Sequence, residues 1–171
     1  MAESALVVGA SGIVGNNLAR HIVGQGWTVE GLARRPPDIS GVTSVAADLL
    51  DPAALARMEE LLARARKPLA ILGGSCWTER GRASMRDYLV SRDLPVAVGF
   101  RRQAVYDGHL SNYVGDLGVG SDPALVARAK EADLVLAIGT RLGEATTEGY
   151  QLIESPLPRQ ALIHVHPDPQ E

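Results

Sequence analysis

A chain of 171 residues, 46% of them hydrophobic, carries enough apolar material for one sizeable core and too little for two. Its net charge of -3, with Lys and Arg scattered rather than clustered, offers no basic face to a phosphate backbone, so no nucleic-acid partner is expected. The lone Cys76 has no partner for an internal disulfide, and there is neither a signal-type amino terminus nor an apolar run of about 18 residues, so a cytoplasmic protein with no membrane partner is expected.

Short runs rich in Val, Ile, Leu and Ala occur at 5–9, 28–33, 42–47, 69–73, 95–99, 133–139 and 161–165, and each predicts a strand. They are apolar throughout rather than alternating, which is what a parallel sheet covered on both faces requires. Helical patterns fill several of the gaps. The first spans about 13 to 25, between the first two strands. Asp51-Pro52 and Asp122-Pro123 each put a capping carboxylate before a proline suited to a first helical turn. Arg64, Arg66 and Lys67 gather where the helix after Pro52 should end, and Pro68 stops it. The predicted fold class is α/β, a three-layer, doubly wound parallel sheet of about six or seven strands in a single domain over 1–171.

The clearest chemistry lies where the first strand enters three glycines and then a helix. Gly9 allows a tight turn, Gly12 lets backbone approach a pyrophosphate, and Gly15 lets the helix pack closely on its strand. The same glycines could also serve a turn with no ligand. About 20 residues on, a site for NAD would place Asp or Glu to accept from ribose hydroxyls, whereas this chain has Arg34 and Arg35. Forked, permanently charged guanidinium groups suit a 2′-phosphate, so the residues favour NADP(H), with a solvated loop pair as the alternative.

Residues 4 to about 55, through GASGIVG, GLARRP and AADLLDPAAL, resemble the amino-terminal part of an extended short-chain dehydrogenase/reductase of the progesterone-reductase or iridoid-synthase branch. The resemblance implies a Rossmann-like unit in which Gly9, Ser11, Gly12, Ile13 and Gly15 cradle the cofactor. It also implies that Arg34 and Arg35 meet the 2′-phosphate and that Asp48 and Leu49 flank the adenine. The family's catalytic tyrosine, followed four residues later by a lysine that lowers its pKa, has no counterpart. Tyr88, Tyr106, Tyr113 and Tyr150 lack a lysine at that spacing, and Lys67 and Lys130 are the only lysines. No catalytic residue is assigned.

From about 56 to 171, LLARARKPLAILGGSCWTE, LPVAVGFRRQ, NYVGDLGVG, EADLVLAIGTRLGEATTEGY and LIHVHPDPQE resemble the central domain of thiamine-diphosphate enzymes such as acetolactate synthase. That family's central domain is a parallel sheet that holds FAD or ADP in some members and serves as a scaffold in others. The resemblance implies an alternative nucleotide site at Gly73, Gly74, Ser75, Gly139, Thr140, Arg141 and Asp168, with a plain turn and a surface cation as the competing reading. Thiamine diphosphate and magnesium are not expected here, because the family's activating glutamate and its Gly-Asp-Gly motif belong to other domains. Gly115-Asp116-Leu117-Gly118 is not that motif.

The seam between the two resemblances falls at Asp51 to Ala56, as expected of a recombined or engineered chain or a natural fusion. Each part offers an unpaired sheet edge; pairing the two would give one sheet, and exposed edges favour a homodimer. Three functions stay open: an NADP(H)-binding module without a complete catalytic site, a structural or FAD/ADP-binding domain, and an NADP-dependent oxidoreductase. His164 and His166 share a strand face, but two ligands are too few for a metal. Cys76, Trp27 and Trp77 suit packing, and Arg101-Arg102 suits a solvated loop.

Overall fold

The computed structural model describes residues 4–8, 13–25, 27–33, 42–46, 52–75, 77–153 and 159–166. Strand β1 (Ser4–Val8) runs through helix α1 (Ile13–Gly24) into β2 (Thr28–Ala33), followed by β3 (Val42–Ala46). Helix α2 (Pro52–Arg64), β4 (Pro68–Leu72), α3 (Glu79–Ser91) and β5 (Val96–Val98) come next. A 3-10 turn at Gln103–Val105 leads to β6 (Tyr113–Asp116), α4 (Pro123–Glu131), β7 (Leu134–Ile138) and β8 (Ala161–Val165).

The strands form two hydrogen-bonded sheets, β1-β2-β3 and β6-β5-β4-β7-β8. Every pairing in both is parallel. The larger sheet thus has five strands, below the six or seven expected, because the first three keep a ladder of their own. The seven predicted strands are all present. The eighth, β6, carries Gly115 at φ +122 and meets β5 across a register shift between Val96 and Ala97. A glycine inside a four-residue edge strand erases the apolar signature that betrayed the others.

The five-stranded sheet is covered on both faces, and the alternation of its side chains shows how. Ala70, Leu72, Val96, Val98, Leu134, Leu136 and Ile138 face one cluster with Leu62 of α2 and Leu89 of α3. Leu69, Ile71, Ala97, Val135 and Ala137 face the other with Leu125 and Ala129 of α4. This gives the three layers expected from the uninterrupted apolar runs. Truncating any of these leucines to Ala costs about 2–5 kcal/mol.

Local chemistry sets the helix ends. Asp122 accepts a hydrogen bond from the backbone N–H of Ala124 at 2.7 Å, with Pro123 at the first turn, and Thr78 Oγ1 accepts from Gly81 N–H at 3.0 Å. These side chains satisfy donors that the first turn leaves without intrahelical partners. At the amino-terminal edge of the sheet, the Asp133 carboxylate accepts from the backbone of Arg66 at 2.7 Å and of Lys67 at 2.9 Å. Lys67 Nζ also donates to Glu131 at 2.8 Å, so the turn after α2 is fastened to the start of β7.

Candidate functional site

Two places in this architecture are candidates for a ligand site. The first is the β1–α1–β2 unit. Only residues 9–12 lie between the end of β1 and the start of α1, and β1 and β2 run parallel from the rung Ser4↔Thr28 to Val8↔Leu32. A helix that begins this soon after a parallel strand is one whose first amides can meet a phosphate. Ile13 and Gly15 open α1. Gly9, Ser11, Gly12, Arg34, Arg35, Asp48, Leu49 and, in the alternative site, Asp168 lie outside the described residues.

The second place is the carboxyl end of β4 and β7. Chain order reverses there, since β5 and β6 extend to one side of β4 whereas β7 and β8 lie on the other. Open parallel sheets take ligands at such a reversal. Gly73 and Gly74 follow β4, and Gly139, Thr140 and Arg141 follow β7, so the structure brings these predicted residues together. What they do there is pack against each other. A Cβ on Gly74 would stand 2.2 Å from the Gly139 carbonyl oxygen, and one on Gly139 would stand 2.6 Å from that of Gly73. A Cβ on Gly73 would meet Thr140 Cβ at 2.7 Å. Gly74 and Gly139 also adopt φ +76 and +71, which only glycine takes readily. The two strand ends therefore close on one another, and the glycines are accounted for by backbone contact.

Further polar groups fasten the same closure. Trp77 Nε1 donates to the Gly73 carbonyl at 2.6 Å, and His164 Nε2 lies 2.6 Å from the Thr140 carbonyl, which accepts its proton. Thr146 Oγ1 accepts from Phe100 N–H at 3.3 Å, next to Gly99, where an added Cβ would meet that hydroxyl at 3.3 Å. Thr140 and Thr146 are buried, whereas Ser75 and Arg141 are exposed above them. Trp77, Gly99 and Thr146 were not read as part of this cluster from the sequence. Their signal is weak, because a buried threonine and a lone glycine look like ordinary loop residues until three strand ends converge.

The tyrosines do not form a proton-transfer pair with a lysine. Tyr88 OH donates to Glu59 Oε1 at 3.0 Å and its ring lies under the Arg92 guanidinium at 4.1 Å, while Tyr106 OH donates to Asn112 Oδ1 at 3.0 Å. Burial, then the hydrogen bond and charge of Glu59, push the Tyr88 phenol up to about 12, away from a proton-donating range near neutrality. Burial also raises Tyr106 and Tyr113. The rings of His164 and His166 lie 5.9 Å apart, and no group of three metal-ligating side chains occurs among the described residues. No helix among them is long and apolar enough to cross a membrane.

These features define a doubly wound α/β protein with glycine-bearing strand ends at the points where its strand order reverses. The chain belongs to the thiamine pyrophosphate enzyme central-domain family over residues 55–171 and to the NAD dependent epimerase/dehydratase family over residues 5–94. Residues 55–94, holding most of α2 with β4 and α3, satisfy both families, so the epimerase/dehydratase match runs well past the seam expected at 51–56.

Among curated relatives, the large subunit of acetolactate synthase isozyme 2 from Escherichia coli (strain K12) is 25% identical over 112 residues, covering 66% of this chain and 20% of that protein. A 3D-(3,5/4)-trihydroxycyclohexane-1,2-dione hydrolase from Bacillus cereus (strain AH820) is 32% identical over 104 residues, 60% of this chain and 16% of the relative. The chain thus spans a fifth or less of the length of these relatives. Among solved structures, a short-chain dehydrogenase from Streptomyces avermitilis overlays with a TM-score of 0.35 at 15% identity, over 98% of this chain and 72% of that one. A carbonyl reductase from Pseudomonas aeruginosa PAO1 in complex with NADP gives 0.34 at 18% identity, over 85% and 84%. Overlays this loose carry no weight for the site.

Proposed function

We propose that the chain is an NADP(H)-binding module, one Rossmann-like domain over 1–171 without a complete catalytic site. The observation that carries this reading is the β1–α1–β2 unit, with four residues between strand and helix, Gly9, Ala10, Ser11 and Gly12, all of them small. Arg34 directly follows β2 and supplies the charge that a 2′-phosphate needs. The packing at Gly74 and Gly139 supports the same choice, because glycines pressed against carbonyl oxygens leave little backbone for a diphosphate. Without a Tyr–Lys pair, reduction of a carbonyl lacks its proton donor.

Calorimetric titration of the intact protein with NADPH, NADH, FAD and ADP tests this. NADPH should bind more tightly than NADH, and Arg34→Ala should weaken NADPH by about 10- to 100-fold, the worth of charge-assisted hydrogen bonds of about 1.5–3 kcal/mol. Arg141→Ala should leave it unchanged. Equal indifference to NADPH and NADH ends the proposal.

A second reading is favoured by one observation, the strand-order reversal between β4 and β7 with Ser75 and Arg141 exposed above it. In that reading the chain is a scaffold or an FAD- or ADP-binding domain. FAD or ADP binding that Arg141→Ala weakens, with no response to NADPH, would establish it.

A further inference from the structure

A third place lies apart from both candidate sites. A groove of about 260 Å³ runs between helix α3 and the segment 104–107 that leads toward β6. That volume falls just below the roughly 300–1,000 Å³ of drug- and cofactor-sized pockets, so it suits a small metabolite and not a dinucleotide. Glu79, Arg82, Ala83 and Arg86 line one side as a single stripe, at the three- and four-residue spacing that puts side chains on one helix face. Val105 and Asp107 stand on the other side. That wall is fixed in advance, because the buried Tyr106 between them donates its OH to Asn112 at 3.0 Å and stacks on the Tyr113 ring.

Two guanidinium groups and two carboxylates line the groove, so its charges cancel but stay separated. Arg82 reaches across to the Ala104 carbonyl at 3.2 Å and pairs with Glu79 on its own helix. Arg86 donates from Nε and Nη2 to Asp87 at 3.1 and 3.0 Å, and its charge is also felt across the groove at Tyr106 and Asp107. Asp87 is exposed and does not line the groove, and such surface pairs hold weakly, so a ligand carboxylate can take its place on Arg86. The His109 backbone N–H, then the His109 ring, hold the Asp107 carboxyl below its ordinary range, with a smaller contribution from Arg86, so the groove keeps a negative wall through neutrality.

We propose that this groove binds a small zwitterion of the α-amino acid kind, with its carboxylate between Arg82 and Arg86, its ammonium on Asp107 and its side chain against Ala83 and Val105. A dianion would meet Glu79 and Asp107, and a lone cation would meet both arginines; a molecule carrying both charges satisfies the two walls together. The arginine forks match a carboxylate in shape as well as charge. No residue of either nucleotide reading lines the groove, so the proposal stands or falls apart from both.

Calorimetric titration of the intact protein with L-alanine and L-methionine tests it, with acetate, methylamine and inorganic phosphate as arms that carry one sign of charge. Both amino acids should bind saturably, methionine more tightly because its side chain covers more of the apolar wall. Each single-sign probe should bind about 10- to 100-fold more weakly, having lost a charge-assisted contact. Arg86→Gln and Asp107→Asn, both at exposed side chains, should each weaken the amino acids by a similar factor. Ala83→Met keeps every charge and fills the groove, so it should abolish binding while circular dichroism shows the parent fold. Phosphate binding that Arg86→Gln weakens, with the amino acids inert, would make this an anion site and overturn the proposal. Failure of both amino acids to bind, or binding indifferent to Arg86→Gln and Asp107→Asn, would overturn it equally.

Discussion

Replacing Gly74 with Ala should be among the most destabilising single-methyl changes this protein can suffer. The residue sits at φ +76, and the new Cβ would be built 2.2 Å from the Gly139 carbonyl oxygen, where no real Cβ is found. Forcing a non-glycine residue into left-handed backbone costs about 1–2 kcal/mol. Relieving the overlap means moving one strand-end backbone against the other, an overpacking strain of about 1–3 kcal/mol. The sum is about 2–5 kcal/mol, a large share of the ~5–15 kcal/mol that holds a typical domain together. Two other glycines separate these contributions. Gly120 has φ +81 with nothing within 4 Å of an added Cβ, so Gly120→Ala should lose only the conformational part, about 1–2 kcal/mol. Gly143 has open space and no positive φ, so Gly143→Ala should stay within about 0.5 kcal/mol of the parent. Urea unfolding followed by far-ultraviolet circular dichroism reads all three, with Trp77 fluorescence as a local probe because its Nε1 donates to the Gly73 carbonyl at 2.6 Å. At about 1–3 kcal/mol per molar urea, a loss of 3 kcal/mol moves the midpoint by about 1–3 M. Should Gly74→Ala cost no more than Gly120→Ala, the two strand ends stand apart in solution and the argument that the glycines exist for backbone contact is wrong.

Other outcomes follow from single side chains. Tyr88 is held neutral by burial and by its bond to Glu59, with a pKa of about 12 against about 10 when unfolded. Its contribution to stability is therefore complete below pH ~10 and is lost as pH rises through about 12. Tyr88→Phe should flatten that fall in the urea midpoint, and an unchanged pH profile would refute the assignment. Asp122→Ala removes the acceptor that caps Ala124 N–H, so it should cost about 1 kcal/mol and lower the melting temperature by about 2–4 °C. Asp133→Ala should release both the Arg66 and Lys67 amides and cost more than Asp122→Ala in the same melt, since two bonds to a charged acceptor are lost.

The elements of this protein follow from local chemistry. Apolar runs near 69–73 and 133–139 are strands because a central strand of a sheet covered on both faces buries consecutive apolar residues, and the Asp-Pro pair at 122–123 begins a helix because the carboxylate caps it. The β1–α1–β2 unit was legible for the same reason: its strands and helix follow one another directly in the chain. The strand that escaped, Tyr113–Asp116, did so because its glycine and its edge position leave almost no pattern.

Neighbourhood is another matter, and it was settled only by the tertiary structure. A strand that is apolar on both faces carries nothing in its sequence to say which strand lies beside it, so the choice of β7 and β5 as partners of β4, with β8 rather than β4 next to β1, emerges from how the helices and crossovers pack. The glycines show the same division. As letters, Gly73-Gly74 and Gly139 could equally hold a phosphate or allow a close approach, and only the convergence of two distant strand ends reveals that a side chain on Gly74 or Gly139 would have to stand where a carbonyl oxygen is.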